Sequence, residues 1–239
     1  MINKTITLIG QSAIGTLILA VAFMAIEPAV SFGASATSQF TISQTVNSEI
    51  SFVTVASNVT MAGALGGITG GTALGWTTVA VRTNSLNGYN MTIIASTTSI
   101  TGSCTAQGSM TAVASSSNCI GPYVQIGGAS GVPEYTFNNA TNTSEFGYTV
   151  NASTTSDVAQ AFRNNGSICN QSGGTPNGTN CWIAATTTAY TIINRNLPTA
   201  ATGATTTLSF EVKIGANPSP MIPNDTYVAT TTLTATTNS

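Results

Sequence analysis

The residues that most constrain this chain lie in segments where apolar and hydroxylated side chains alternate. The clearest segment begins after the turn signal Pro223-Asn224-Asp225 and continues to Ser239. One face carries Tyr227, Ala229, Thr231, Leu233 and Ala235, and the other carries Val228, Thr230, Thr232 and Thr234. A period of two residues is that of a strand with one buried and one solvated face. Residues 185–191 and 204–210 repeat the pattern, so the sequence predicts an all-β protein.

The surface of this protein must be solvated mainly by hydroxyl and amide groups. Only 5% of the 239 residues are charged, against about 25% in ordinary soluble domains. The chain contains 43 threonines and 25 serines. Its apolar residues alternate with polar ones and many are β-branched, which argues against both a membrane protein and a disordered one. The length suffices for one substantial core.

The composition argues against several classes of function. There is no histidine, so Ser-His-Asp and Cys-His nucleophile systems and histidine metal ligands are excluded. A net charge of −2 and few basic residues argue against a nucleic-acid partner. The carboxylates occupy no recognisable catalytic motif, so we predict neither enzyme activity nor a cofactor or metal. A secreted hydrolase with two facing carboxylates is the least favoured alternative.

Residues 1–36 are predicted to be a signal peptide. Lys4 supplies the positive start, residues 14–26 form the apolar core, and Ala34-Ser35-Ala36 offers a cleavage site. We favour cleavage here over cleavage after Ala34 and over a retained anchor formed by residues 6–26. The mature chain, 37–239, would be a single domain that is secreted or on the cell surface, with no membrane segment beyond the leader.

The four cysteines predict disulfides in an oxidising compartment. Cys104 is close in sequence to Cys119, and Cys169 is close to Cys181. We favour these two local pairs among the three pairings that four cysteines allow. Each bridge would stabilise the fold by roughly 3 kcal/mol. A zinc site with all four cysteines as ligands is the alternative, although the spacing lacks its usual close pairs.

The first half of the mature chain predicts several strands and one flexible loop. Residues 37–55 form two strands, with Phe40, Ile42 and Val46 alternating in the first, and residues 58–61 form a third. The glycine-rich residues 63–75 predict the loop. Residues 76–82 and 89–95 predict a hairpin, because Asn87-Gly88 supplies the positive φ of a tight turn.

The second half adds strands at 123–126, 145–152, 190–193 and 208–214. Ser156 to Arg163 gives the single helical signal. Nine to eleven strands predict an antiparallel β-sandwich, Ig-like or jelly-roll-like, with long disulfide-stapled loops and one short helix. We expect Trp76 and Trp182 to lie in its core.

Several stretches resemble a family of short, secreted, Ser/Thr-rich surface proteins of uncultured small-celled bacteria. They are Phe40–Phe52, Gly67–Gly71, Asn87–Ile93, Ile192–Arg195 and the closing strand. More distantly, the Gly88-Tyr89 hairpin and the closing strand are similar to spore-coat-U, fimbrial and WxL-type surface domains. The resemblance implies a cell-surface or appendage protein and carries over no catalytic residue.

Two hypotheses about function follow. The first is a structural or adhesive surface protein that self-associates through edge strands, with residues 37–46 pairing with the exposed edge of a neighbour. The second is a carbohydrate-binding module that binds surface glycans. Its candidate stacking rings are Tyr89, Tyr123, Tyr135 and Trp182.

Overall fold

The computed structural model describes residues 36–95, 108–114, 118–126 and 131–239. The predicted signal peptide lies outside the described residues except for Ala36, and so does Cys104. The chain divides into two units, Met1–Thr45 and Val46–Ser239. The described part of the first unit, 36–45, contains no strand, which corrects the strand predicted at 37–46.

The second unit forms eleven strands within its described residues. They are β1 (Ile50–Thr54), β2 (Leu65–Gly66), β3 (Gly70–Thr83), β4 (Tyr89–Ala95), β5 (Met110–Ala112), β6 (Cys119–Pro122), β7 (Ser144–Ala152), β8 (Tyr190–Arg195), β9 (Ala204–Ile214), β10 (Tyr227–Val228) and β11 (Thr231–Thr237). The strands predicted at 145–152, 190–193 and 208–214 are therefore confirmed. The strand predicted at 123–126 is wrong, since β6 ends just before it.

The strands form two sheets of unequal size. The larger has the order β1-β3-β9-β7-β6-β5-β10, with β2 also paired to β3, and the smaller has the order β11-β4-β8. All pairs are antiparallel except β6 and β7, which run parallel. The predicted all-β sandwich is confirmed, and this one parallel pair corrects its purely antiparallel description.

The core lies between the inner faces of the two sheets, and the alternation in the sequence builds it. On β9, Leu208, Phe210, Val212 and Ile214 are buried, and on β7, Phe146, Tyr148 and Val150 are buried. Tyr89, Met91 and Ile93 of β4 face them from the smaller sheet. Burying each such side chain contributes about 1.5–3 kcal/mol, so this layer dominates the stability of the fold.

The hairpin predicted across Asn87-Gly88 is wrong, although both of its strands exist. β3 pairs with β1 and β9, whereas β4 pairs with β8 and β11. Gly88 does adopt a positive φ of 73°, and a Cβ there would lie 2.2 Å from the Arg195 carbonyl oxygen. The Asn-Gly signal fixes the local backbone but not the pairing partner, so the chain here crosses from the larger sheet to the smaller.

Residues 65–75 form β2, a turn and the start of β3 in place of the predicted flexible loop. β3 begins at Gly70 and pairs with β9 from Gly71 to Val81. A Cβ at Gly71, whose φ is 147°, would lie 2.2 Å from the Ala64 carbonyl oxygen. Glycine is required here because β2 and β3 approach closely. The strand predicted at 58–61 is also absent, although Ala62 bridges to Leu74.

The predicted helix at Ser156–Arg163 is replaced by two short 3₁₀ turns, Thr155–Asp157 and Gln160–Phe162. Val158 is fully buried and forms a bridge with Ile193 of β8. The Ala159 N–H also donates to the Ile192 carbonyl oxygen at 2.9 Å. These contacts with β8 hold the backbone extended between the turns, so tertiary pairing overrides the local helical signal.

The closing segment alternates as predicted, but it forms two strands, β10 and β11, in different sheets and not the single unbroken strand that the sequence predicted. The face with Tyr227, Ala229, Thr231, Leu233 and Ala235 is half-buried, and the opposite face is exposed. β10 pairs with β5 of the larger sheet, whereas β11 pairs with β4 of the smaller one. The segment therefore passes from one sheet to the other between Val228 and Thr231.

The predicted Cys169–Cys181 disulfide is present and buried, with the two cysteines 12 residues apart. It overturns the alternative in which all four cysteines bind zinc. The other predicted pair, Cys104–Cys119, stays a prediction because Cys104 lies outside the described residues. No described cysteine is a free thiol.

Replacing Cys169 and Cys181 together by alanine should lower the free energy of unfolding by about 3 kcal/mol, because the bridge restricts the unfolded loop. Urea unfolding of both proteins under oxidising conditions, followed by circular dichroism, measures the difference. A loss below about 1 kcal/mol would show that the loop between these cysteines is already restricted without the bridge.

Candidate functional site

The aromatic residues predicted to stack on sugars are not assembled into a site. Tyr89, Tyr123 and Trp182 are buried, and Tyr135 is half-buried. Tyr89 lies in the main core, and burial raises its pKa to about 12. Because their ring faces are covered by protein, the predicted stacking role of Tyr89, Tyr123 and Trp182 is wrong.

Tyr123 and Trp182 belong to a second apolar cluster on the outer side of the larger sheet. The Phe137 ring lies between them, with its centroid 4.3 Å from that of Tyr123 and 5.5 Å from that of Trp182. The Trp182 indole N–H donates to the Thr179 carbonyl oxygen at 3.0 Å. Loops therefore cover the outer face of β7, which the alternation within a strand cannot indicate.

Two carboxylates hold the backbone that follows β6. Glu145 accepts the Val124 N–H at 3.0 Å, and Glu134 accepts the Ile126 N–H at 3.1 Å and the Tyr123 hydroxyl. Burial, which is the main cause, raises the pKa of Glu145. Both carboxylates act as hydrogen-bond acceptors within the fold, so the geometry gives them a structural role.

Trp76, predicted to be core, is 69% exposed on the outer face of the larger sheet. The outward position of Trp76 could have been predicted from the sequence. Val79 and Val81 of the same strand point inward, and Trp76 has the opposite parity. Trp76 lies opposite Ser209 of β9, and Leu74, two residues before it, is 46% exposed.

Polar side chains surround Trp76 on this outer face. Thr78 lies opposite Thr207, and their hydroxyl oxygens are 3.2 Å apart. Glu211 lies opposite Leu74. Burial raises the pKa of Glu211 to about 7, and the positive charge of Lys213 lowers it by a smaller amount. The face thus combines one exposed indole ring with hydroxyl groups and a carboxyl group that is partly protonated at neutral pH.

A groove of about 930 Å³ lies between the inner face of the larger sheet and the closing segment. Residues 55–61 border one side and residues 225–233 border the other. Its apolar lining residues are Phe52, Val59, Met61, Leu65, Met110, Ile120, Phe146, Leu208, Phe210, Val212, Tyr227, Ala229 and Leu233. The floor side chains Phe146, Leu208, Phe210 and Val212 are nonetheless buried, so residues 55–61 and the closing segment lie over this part of the inner face and leave space above it.

Two strands next to the groove, β1 and β11, each have one edge that pairs with no other described strand. Among the described strands, β11 pairs only with β4, and β1 pairs only with β3. Such an edge presents backbone N–H and C=O groups that can pair with another chain. Apolar lining and an unpaired edge therefore occur together at this groove.

Three further features of the described residues bear on function. Within them no helix has the length and apolarity to cross a membrane. They also contain no group of three or more histidine, cysteine or acidic side chains placed to hold a metal ion. One ion pair is present in this part of the chain, between Arg195 and Asp157 at 2.5 Å, and it is largely buried.

No protein-family model, curated protein or solved structure matches this chain.

The raised pKa of Glu211 predicts a pH dependence of stability. The fold favours the protonated carboxyl, so its contribution is complete below the ordinary pKa of 4.5 and is lost as the pH rises through about 7. The unfolding free energy of the native protein should therefore fall between pH 4.5 and 7. In a Glu211→Gln variant this fall should be smaller, which urea unfolding across the range measures.

Glu145 provides the internal comparison for this experiment. Its pKa is also raised by burial, so it contributes a fall of the same sign in both proteins. Superimposable pH profiles for the native and Glu211→Gln proteins would contradict the raised pKa of Glu211.

Proposed function

We propose that this protein is a non-enzymatic, extracellular structural subunit that assembles with copies of itself by strand addition. The groove between the larger sheet and the closing segment carries the proposal. Residues 37–46 of one copy would enter the groove of the next copy and pair with the free edge of β11. Repetition of this contact would build a linear fibre or a coat.

The groove has the two features that an added strand requires. Its floor, including Phe146, Phe210 and Val212, is apolar, and every second side chain of a strand that moved residues 55–61 or the closing segment aside would pack on it. Its border includes the edge of β11, whose outward backbone groups need partners. An apolar small molecule would satisfy the floor but leave these backbone groups without partners, so a peptide strand fits better.

Residues 37–46 have the sequence that such a strand needs. Phe40, Ile42 and Val46 share one parity and are 80%, 84% and 81% exposed. Thr41, Ser43 and Thr45 share the other parity, and no residue from 37 to 46 is charged. Ten extended residues reach about 33 Å, enough to span the seven residues of β11 at about 3.3 Å each.

The buried disulfide supports an extracellular role. The buried Cys169–Cys181 disulfide is typical of proteins that fold in an oxidising environment. The scarcity of charged residues and the hydroxylated strand faces suit a protein whose surfaces pack against further copies and not against charged partners.

Mutation of the incoming strand tests the proposal. In residues 37–239, replacing Phe40 and Ile42 by aspartate should abolish fibres or sheets in negative-stain electron microscopy, because the groove floor cannot solvate two carboxylates. Sedimentation should show association weakened by at least about 100-fold, since each lost side chain contributes about 1.5–3 kcal/mol when buried.

The matched control places aspartate at Thr41 and Ser43, which have the opposite parity and the same sequence surroundings. This control should assemble like the native chain. A native chain that stays monomeric at all concentrations, or assembly that both variants impair equally, would reject the strand-addition model.

A free peptide provides an independent check. An excess of the peptide with the sequence of residues 37–46 should shorten the assemblies of the native chain, because it occupies grooves without extending the fibre. The same peptide with aspartate at the positions of Phe40 and Ile42 should leave their length unchanged.

A further inference from the structure

We propose that the outer face of β3 and β9 around Trp76 binds a neutral saccharide. Trp76 is in the middle of β3, which pairs with β9 over the register from Gly71 to Val81, so its backbone is fixed. Most tryptophans in folded proteins bury most of their surface, whereas Trp76 is largely exposed. A rigid, exposed indole ring is a preformed surface for a flat partner.

The residues around Trp76 carry hydroxyl groups that could form hydrogen bonds with the hydroxyl groups of a sugar. Ser209 lies directly opposite Trp76, and the Thr78 and Thr207 hydroxyls lie side by side one pair further along. Directly opposed side chains on an antiparallel pair have Cβ atoms about 4.5–5.5 Å apart. Hydroxyl groups that can both donate and accept therefore lie within one sugar ring's width of the indole.

One rim borders this face. Gly178 lies beside the sheet, where a Cβ would be in ordinary contact with the Ser209 hydroxyl oxygen at 3.6 Å and the Asn151 Cβ at 3.4 Å. Asn177, beside it, is exposed and donates from its side-chain amide to Asn180. The loop adds amide groups along one side of a surface that is otherwise flat.

The chemistry of the face selects the class of ligand. A pyranose ring offers an apolar C–H face and a rim of hydroxyl groups, which match an indole ring and a ring of hydroxylated side chains. The nearby charges, on Glu211 and Lys213, have opposite signs and neighbouring positions on β9. The described residues of this face include no cluster of like charges, so its chemistry favours an uncharged sugar.

The amount of apolar surface argues against a protein partner. Only Trp76 and Leu74 are exposed apolar side chains at the centre of this face, and threonine and serine surround them. The centre of a protein interface is usually more apolar than this. The alternative occupant of this face is a second copy of the chain packed against Trp76. The experiment must distinguish that copy from a sugar.

Tryptophan fluorescence provides a direct test. The chain contains two tryptophans, and Trp182 is buried with its N–H bonded to the backbone, so a soluble ligand should perturb the emission of Trp76. Hexasaccharides of β-1,4-linked N-acetylglucosamine, β-1,4-linked glucose and α-1,4-linked glucose are titrated into residues 37–239. At least one should give a saturating change.

The variant Trp76→Ala should weaken binding of that hexasaccharide by about 10-fold or more in isothermal titration calorimetry, since the ring supplies the stacking contact. Its unfolding temperature should stay close to that of the native protein because the ring is exposed. Leu86→Ala, which removes another exposed apolar side chain outside this face, should bind like the native protein.

Three results would overturn this assignment. They are the absence of a change with all three sugars, equal binding by Trp76→Ala, and a loss of assembly in Trp76→Ala without any sugar binding by the native chain. The aspartate variant at Phe40 and Ile42 separates this assignment from the proposed assembly. It should fail to assemble and still bind the sugar.

Discussion

The pairing of β9 with β3 on one side and β7 on the other is the constraint on which the rest of the structure depends. Because side chains alternate along a strand, this register sends Leu208, Phe210 and Val212 into the core and Thr207, Ser209 and Glu211 to the outside. The first set forms the floor of the groove, and the second set surrounds Trp76. A slip of one residue would exchange the two faces and remove both candidate sites at once.

The unequal size of the two sheets explains why a groove exists. Eight strands form the larger sheet and three form the smaller, and residues 55–61 and the closing segment lie over part of the larger inner face with space beneath them. This groove lies beside an unpaired edge of β11, and the sequence supplies, at 37–46, a segment of matching chemistry.

Local alternation predicted β7, β9 and the closing segment together with the faces that they bury, because each of these strands has one buried face. It failed where partners distant in sequence decide the outcome. The Asn87-Gly88 signal correctly predicted a positive φ but wrongly predicted a hairpin. Near Val158, contacts with β8 hold the backbone extended in place of the predicted helix. The burial of Tyr123 and Trp182 depends on loops over β7 that no strand pattern describes. The exposure of Trp76 could have been predicted, because its position in β3 has the opposite parity to that of the inward-facing Val79.

The division of the closing segment between the two sheets has a mechanical consequence. β11 lies antiparallel to β4 over the register from Thr231–Ala95 to Thr237–Tyr89. A force along this segment would load all of those pairs together, in shear, and would not open them one after another. β10 would pass part of the same load to the larger sheet through β5. The two sheets would then resist extension as one body, as the proposed assembly would require.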